Sequence, residues 1–331
     1  MPDERSPETT PRGQNSLFRF AGIIVVLSVL ALTLLACLYA ASGRFETLSV
    51  SLTILVGIPF CIGAVSRLLF RLFYRAADDT VTGIAFIAVF VALCVSAIVL
   101  REAMICILMA APFLLIGGWL GVFFMGLALQ RRPDSPRANG AALLFIPFAL
   151  LGTDLHLKPT TQDFTVSRDV LIDAPVERVR PLLFDMRDIS EEEGRWNITQ
   201  DVFGVPRPVS AVVDADRRMA LWQNDVSFEE HIEFMSDNEM RWRFVFPNDS
   251  VARHSDRHIS PDGVHLKVES GGYQLEALPD GRTRLTLSTT YVATTPVNAY
   301  ASLWGELILG DIQSNVLAII EGRAEAQSVS N

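Results

Sequence analysis

The chain is 331 residues long, 50% of them hydrophobic, and its 28 basic and 37 acidic side chains leave a net charge of −9. That balance offers no basic face for phosphate, which excludes nucleic acid as a partner. The apolar residues are gathered into long uncharged runs in the first half, which excludes a single water-soluble globule.

Residues 1–18 are polar and carry three prolines. They cannot bury enough apolar surface to fold and are expected to form a disordered tail. Four uncharged runs follow: 24 residues over 20–43, 20 over 47–66, 21 over 80–100 and 28 over 103–130. About 20 apolar residues suffice for a helix to cross the bilayer core, where only helices or closed barrels satisfy their own backbone. Four transmembrane spans are therefore predicted. The first is too long for a signal-peptide core and has no small-residue cleavage pattern. No charge interrupts any of the four, so a transport path with ionisable relays is not supported. Gly117 and Gly121 form a GxxxG step of the kind that packs helices together.

Arg5, Arg12 and Arg19 precede the first span, Arg67, Arg71 and Arg75 follow the second, and Arg131, Arg132 and Arg137 follow the fourth. The alternate loops hold only Arg44 and Arg101. Because cytoplasmic loops accumulate positive charge, the N-terminus and the Arg137 loop are expected in the cytoplasm. Residues 138–153 are uncharged but contain Gly140 and Pro147, and as a helix they reach only about 24 Å, short of a core of about 30 Å. Two readings stay open, a short fifth span or a helix lying in the interface. The arginines before this segment, and Asp154, His156, Lys158 and Asp163 after it, favour the crossing. It would put the C-terminal half outside the cytoplasm. With 26 arginines against two lysines the chain fits a high-GC bacterial genome, so the membrane is expected to be the bacterial inner membrane.

The composition changes at residue 154. Up to 153 there are 11 arginines and 8 acidic residues; from 154 onward there are 17 basic and 29 acidic ones. Residues 154–163 read as a linker, 164–325 as one α+β domain long enough for its own core, and 326–331 as a tail. Cys37, Cys61, Cys94 and Cys106 all lie in the apolar runs, so the C-terminal half has neither a disulfide framework nor a thiolate metal site.

Within that half, Phe164–Ile172 has the β-branched content of a strand, and Asp173-Ala174-Pro175 opens a helix with proline in its first turn. Val176, Val179, Leu183 and Met186 keep helical spacing. The proline-rich stretch 204–208 reads as a loop. Strands are expected over 219–224, 226–236, 240–246, 264–277 and 283–293, punctuated by turn residues at Asp237-Asn238, Gly271-Gly272 and Asp280-Gly281, the chemistry of antiparallel hairpins. A long amphipathic helix closes the chain, with Tyr300, Trp304, Ile308, Ile312, Val316 and Ile320 recurring every four residues. Such a stripe requires a sheet to lie on, and a curved antiparallel sheet wrapped on one helix encloses a cavity.

The stretch LIDAPVERVRPLLFD (171–185) resembles the first strand and helix of the START-like superfamily, also called SRPBCC, which includes polyketide cyclases and lipid-transfer proteins. GVPRP (204–208), FEEHI (228–232), DGRTRLTLSTTY (280–291) and NAYASLW (298–304) resemble a membrane-anchored bacterial branch of it. One departure is Val213–Arg218, where that pattern has a glycine-containing turn before an arginine. The resemblance implies a helix-grip fold around a tunnel for a lipid-like or aromatic ligand. It implies no cofactor and no shared reaction, since one scaffold carries binders, transfer proteins and enzymes.

Candidate residues follow from strand alternation. Trp222, Phe228, Trp242, Phe244, Tyr273, Tyr291, Tyr300 and Trp304 are candidates for lining a pocket, and Phe234 and Phe246 belong to the same aromatic group. Arg207, Arg217 and Arg218 are candidates for meeting an anionic headgroup at its mouth. Glu229 and Glu230 must point to opposite faces, and Glu230 with His231 and Glu233 is a candidate acid/base group. The alternative is an ion pair with Arg241 or Arg243. His254 and His258 stand four apart, but in turn-rich surroundings without a further ligand, so no metal site is expected. Three functions are compatible with these residues: a membrane-anchored, non-enzymatic binder or transfer protein for a hydrophobic molecule, a cyclase- or dehydratase-type enzyme using an inward carboxylate, or a structural or sensory membrane protein. No protein partner is legible.

Overall fold

The computed structural model describes residues 50–73, most of 80–94, 104–130, 142–156, 159–248, 250–251 and 260–329. The predicted tail and first span, the 131–137 arginine loop, His254 and His258 lie outside them. The chain divides into two compact units, one ending at Leu157 and the other comprising Lys158–Asn331 together with Ala103–Met109.

In the first unit, helix α1 (Ile58–Phe73) is preceded by a turn of π-helix over Thr53–Gly57. Pro59 accounts for the widened turn, because its nitrogen has no hydrogen for the carbonyl four residues back and its ring crowds that carbonyl. Helix α2 (Met104–Gln130) is apolar on all sides, with Ile116, Trp119, Phe123 and Phe124 exposed. A helix over Thr82–Val91 covers part of the third predicted span.

Glycines bring α1 and α2 into backbone contact. A Cβ on Gly63 would overlap the carbonyl oxygen of Gly118, and one on Gly121 would overlap that of Phe60. Gly117 lies at Val56 and Pro59, and Gly126 beside the Arg67 side chain, so the two helices run in the same direction. Helix α3 (Ile146–His156) runs the other way: Leu144 is level with Cys61, Pro147 and Leu150 with Gly57, and Asp154 with Thr53. Asp154 accepts from the Thr53 backbone N–H at 2.8 Å and hydroxyl at 2.6 Å, and from the Leu52 N–H at 3.2 Å. The residue expected to open the linker is thus in the last helical turn, held there because it supplies acceptors to the orphan donors of another helix.

The second unit is built on one eight-stranded antiparallel sheet. Its strands are β1 (Thr161–Ile172), β2 (Asp185–Met186), β3 (Pro208–Asp214), β4 (Arg217–Trp222), β5 (Val226–Met235), β6 (Glu239–Val245), β7 (Leu266–Ala277) and β8 (Thr283–Thr294). Their order is β1-β8-β7-β6-β5-β4-β3-β2, so the first strand sits beside the last. Helices α4 (Val176–Phe184) and α5 (Ile198–Asp201) lie between β1 and β3, and α6 (Asn298–Val329) ends the chain. The predicted tail at 326 is still helical. Met186, grouped by its spacing with the helix, lies instead in β2, because the helix ends at Phe184 and the chain pairs with β3. β3 begins at Pro208, where the missing donor is tolerated at a strand start beside a bulge, and Ala215-Asp216 turn it into β4, Ala215 with φ 57°. This two-residue turn lies within Val213–Arg218, the stretch where the sequence departs from the resemblance noted above.

Alternation is regular along β8, where Thr283, Leu285, Leu287, Thr289, Tyr291 and Ala293 are buried and the residues between them are not. α6 packs on β1, β8, α4 and α5, and Leu317, Ile319, Ile320 and Ala324 complete a core with Ile172, Leu183, Leu275 and Leu285. Three helices among the described residues are long and apolar enough to cross a membrane, Thr53–Leu72, Ile105–Leu129 and Asn298–Ala326. The third owes its apolarity to the stripe that grips the sheet.

Candidate functional site

The concave face of the sheet carries a charged pair where core would be expected. Register sets Arg218 of β4 directly opposite Glu230 of β5, and both point inward, 4% and 5% exposed. Their side chains meet at 2.5 Å. Trp242 of β6 and Tyr273 of β7 flank the guanidinium, with ring centroids 5.9 and 5.6 Å from it, a cation–π arrangement. Gly271, opposite Trp242 in the ladder, makes this possible: a Cβ there would come within 2.7 Å of the indole ring.

Burial pushes the Glu230 carboxyl up, against the pull of Arg218. Burial alone would lower Arg218, but Glu230 and Tyr273 raise it, so it stays a cation. Burial likewise raises the Tyr273 hydroxyl against the opposing pull of Arg218. The pair is therefore an internally neutralised polar spot within an apolar face.

From Trp242 a chain of ring contacts runs along that face. Trp242 meets Tyr273 at 5.2 Å and Phe244 at 6.1 Å. Phe228 meets Phe244 at 5.8 Å, Phe246 at 6.0 Å and Trp222 at 5.7 Å. Trp222, Phe228 and Phe244 are only half-buried although β4, β5 and β6 turn them inward, and so is Phe246 just past the end of β6. The sheet is thus filled with core at the α4 end and left partly uncovered along this aromatic wall. Among the described residues of this unit, the buried polar side-chain atoms without a hydrogen-bond partner are Arg178 Nη1, Arg218 Nε, Trp242 Nε1, the Tyr291 hydroxyl, Gln313 Oε1 and Asn315 Nδ2.

The structure brings together Trp222, Phe228, Trp242, Phe244 and Tyr273 from the sequence-predicted set. Tyr291 stands apart, buried between Phe164, on which it stacks at 5.5 Å, and α6, where Gly305 leaves room for its hydroxyl. Tyr300 and Trp304 lie on the first turns of α6, where Trp304 meets Phe203 at 6.2 Å. Phe203 had no signal in the sequence beyond its type. Phe234 is on the outer face beneath Arg241, displaced by a bulge in β5.

Three sequence expectations are corrected here. Glu230 and His231 occupy opposite faces, so the proposed acid/base group does not assemble. His231 bonds Glu229 at 2.7 Å on the outer face, and this bond, with Arg217, holds the Glu229 carboxyl below its ordinary value. Arg218 is buried rather than at a mouth, because adjacent residues of a strand alternate, and Arg217 faces outward toward Glu229. Arg207 donates to Asp201 at 2.8 and 2.9 Å, to Asn315 at 3.1 Å and to the Arg195 carbonyl at 3.2 Å, tying its loop to α6. A cleft of about 80 Å³ beside it, lined by Ile189, Val209, Asn315 and Ile319, is far too small for a lipid. Glu233 does pair with Arg243, at 3.4 Å.

No protein-family model and no curated protein matches the chain. Among solved structures it is similar to a START superfamily protein from Mycobacterium smegmatis, with 15% identity, 49% of this chain and 98% of that one covered, and a TM-score of 0.34. It is also similar to the Zhui aromatase/cyclase from a Streptomyces, with 15% identity, 50% and 96% covered, and a TM-score of 0.32. Likeness at this level carries no residue roles. The strand order, with β1 closing on β8 and a long terminal helix gripped by the curled sheet, fits the helix-grip fold of START-like proteins.

Proposed function

We propose that this is a membrane-anchored protein whose C-terminal domain binds or transfers a hydrophobic, lipid-like molecule without transforming it. The observation that carries this reading is the half-uncovered wall of Trp222, Phe228, Phe244 and Phe246 on the inward face of the sheet. An apolar concave surface with few polar groups is what an oily ligand requires. Because Arg218 and Glu230 neutralise one another, the remaining donors on Arg218 Nε and Trp242 Nε1 favour an uncharged oxygen, such as a carbonyl or hydroxyl, over an anion. Anchoring suits such a ligand, since a tether keeps the binding surface at high effective concentration beside the phase that holds it. The cyclase-like alternative needs Glu230 free to exchange a proton. Its 2.5 Å bond to Arg218 weighs against that.

The full-length protein, purified in detergent and extracted for lipid mass spectrometry, is expected to carry a discrete lipid species in stoichiometric amount. Phe228→Ala with Phe244→Ala should lose it. A wild-type sample with only bulk membrane lipid would sink the reading.

We also read α1, α2 and α3 as membrane spans, with the C-terminal domain outside the cytoplasm. Supporting this, α3 runs antiparallel to α1, which brings Asp154 to Thr53, at the end of α1 opposite Arg67. A phosphatase reporter fused after Asn331 should be active; a cytoplasm-only reporter active at that position would reverse the orientation.

A further inference from the structure

The segment 195–207, which joins α5 to its flanking loops, is folded inside out. Its polar side chains Asn197, Thr199 and Gln200 are buried, whereas Trp196 is 69%, Val202 50% and Ile198 40% exposed. The polar groups find partners within the domain. Asn197 bonds the Gln200 N–H and side chain at 2.8 and 3.0 Å, Gln200 donates to the Pro206 carbonyl at 3.1 Å, and Thr199 donates twice to Asp311 of α6, at 2.8 and 3.0 Å. The carboxylates nearby are also turned to internal partners, Asp201 to Arg207 and Glu193 to Arg323. What this loop offers outward is therefore chiefly three apolar side chains, one of them a tryptophan, with Arg195 and the ion-paired Asp201 exposed beside them.

Resting on the anchored-binder reading above, we infer that Trp196, Ile198 and Val202 form a docking tip that inserts into the interfacial layer of the bilayer in which the chain is anchored. Covalent reach keeps a lipid surface nearby. The Thr160 carbonyl accepts from Asn298, the first residue of α6, at 2.6 Å, and only three residues separate Thr160 from His156 at the end of α3, a span of at most about 14 Å. The tip is fixed to α6 within its first 14 residues, through Phe203 on Trp304 and Thr199 on Asp311, about 20 Å along the helix. Tryptophan favours the membrane–water interface. A second copy of the chain is the poorer occupant, because three side chains on one short loop fall well below the roughly 1,200 Å² that a stable interface buries. Such a tip would hold the aromatic wall close to the phase from which a lipid-like ligand enters.

The test uses the full chain in nanodiscs of zwitterionic lipid, with quenching by doxyl-labelled lipid and by aqueous iodide. The Trp196 contribution is taken as the difference between wild type and Trp196→Phe. It is expected to be quenched mainly by the doxyl lipid, and Ile198→Asp with Val202→Asp should turn that preference toward iodide. Quenching by iodide alone would mean a solvent-exposed loop, and quenching by neither would mean a protein occupant; either result overturns the inference. Retained lipid is measured on the same samples. Cargo without doxyl quenching leaves the binding reading standing and removes the docking tip, and quenching without cargo does the reverse.

Discussion

Glu230→Gln is expected to cost the C-terminal domain about 3–5 kcal/mol, the usual penalty for removing one partner of a buried ion pair. Arg218 would remain a cation between Trp242 and Tyr273 with nothing to neutralise it, and it cannot shed its proton to escape. For a domain of this size the loss lowers the melting temperature by on the order of 10 °C, measurable on the full-length protein by calorimetry or by near-ultraviolet dichroism of the aromatic wall. Arg218→Met combined with Glu230→Leu should recover much of the loss, since an apolar pair of similar volume removes both charges at once. The same variant separates the two chemical readings of the site. If Glu230→Gln melted with the wild type, the pair would not be holding the fold, and the carboxylate would be free for proton transfer as an enzyme requires.

Gly121→Leu should disrupt the helical unit with comparable force. The first atom of the new side chain would overlap the carbonyl oxygen of Phe60 and come close to the backbone nitrogen of Ala64. Backbone cannot swing aside as a side chain can, so α1 and α2 must separate, at a cost above the ~1–3 kcal/mol typical of overpacking. If α1 and α2 span a bilayer as proposed, they depend on such close contact all the more, because no hydrophobic driving force would hold them together there. The expected result is loss of folded, monodisperse protein after detergent extraction. Gly152→Leu is the control, because nothing stands within 4 Å of the position a Cβ would take there. Equal yields from the two variants would mean that α1 and α2 do not cross at these glycines.

Periodicity and composition by themselves determined much of this protein. Uncharged runs marked the helices that the structure describes over Thr53–Leu72 and Ile105–Leu129. The β-branched content of FTVSRDVLI and the strand-like run over 283–293 anticipated β1 and β8, and the four-residue stripe anticipated α6. Each of these signals is local, repeating at the period of the element itself. Alternation also required Glu229 and Glu230 to part ways. It could not say which of them faced inward, nor that Arg218 would be waiting opposite, because that depends on the register of β4 against β5. Tertiary structure alone decided that Gly271 makes a bed for Trp242, that Gly305 admits the Tyr291 hydroxyl, and that Asp154 supplies acceptors to a helix a hundred residues away. It also turned the 195–207 loop inside out, since burial of Thr199 depends on Asp311 of α6 and the Arg195 backbone N–H is met by Asn315 of the same helix. Local sequence sets the shape of an element, whereas contacts between residues far apart in the chain set which of its faces is left for a ligand or a membrane.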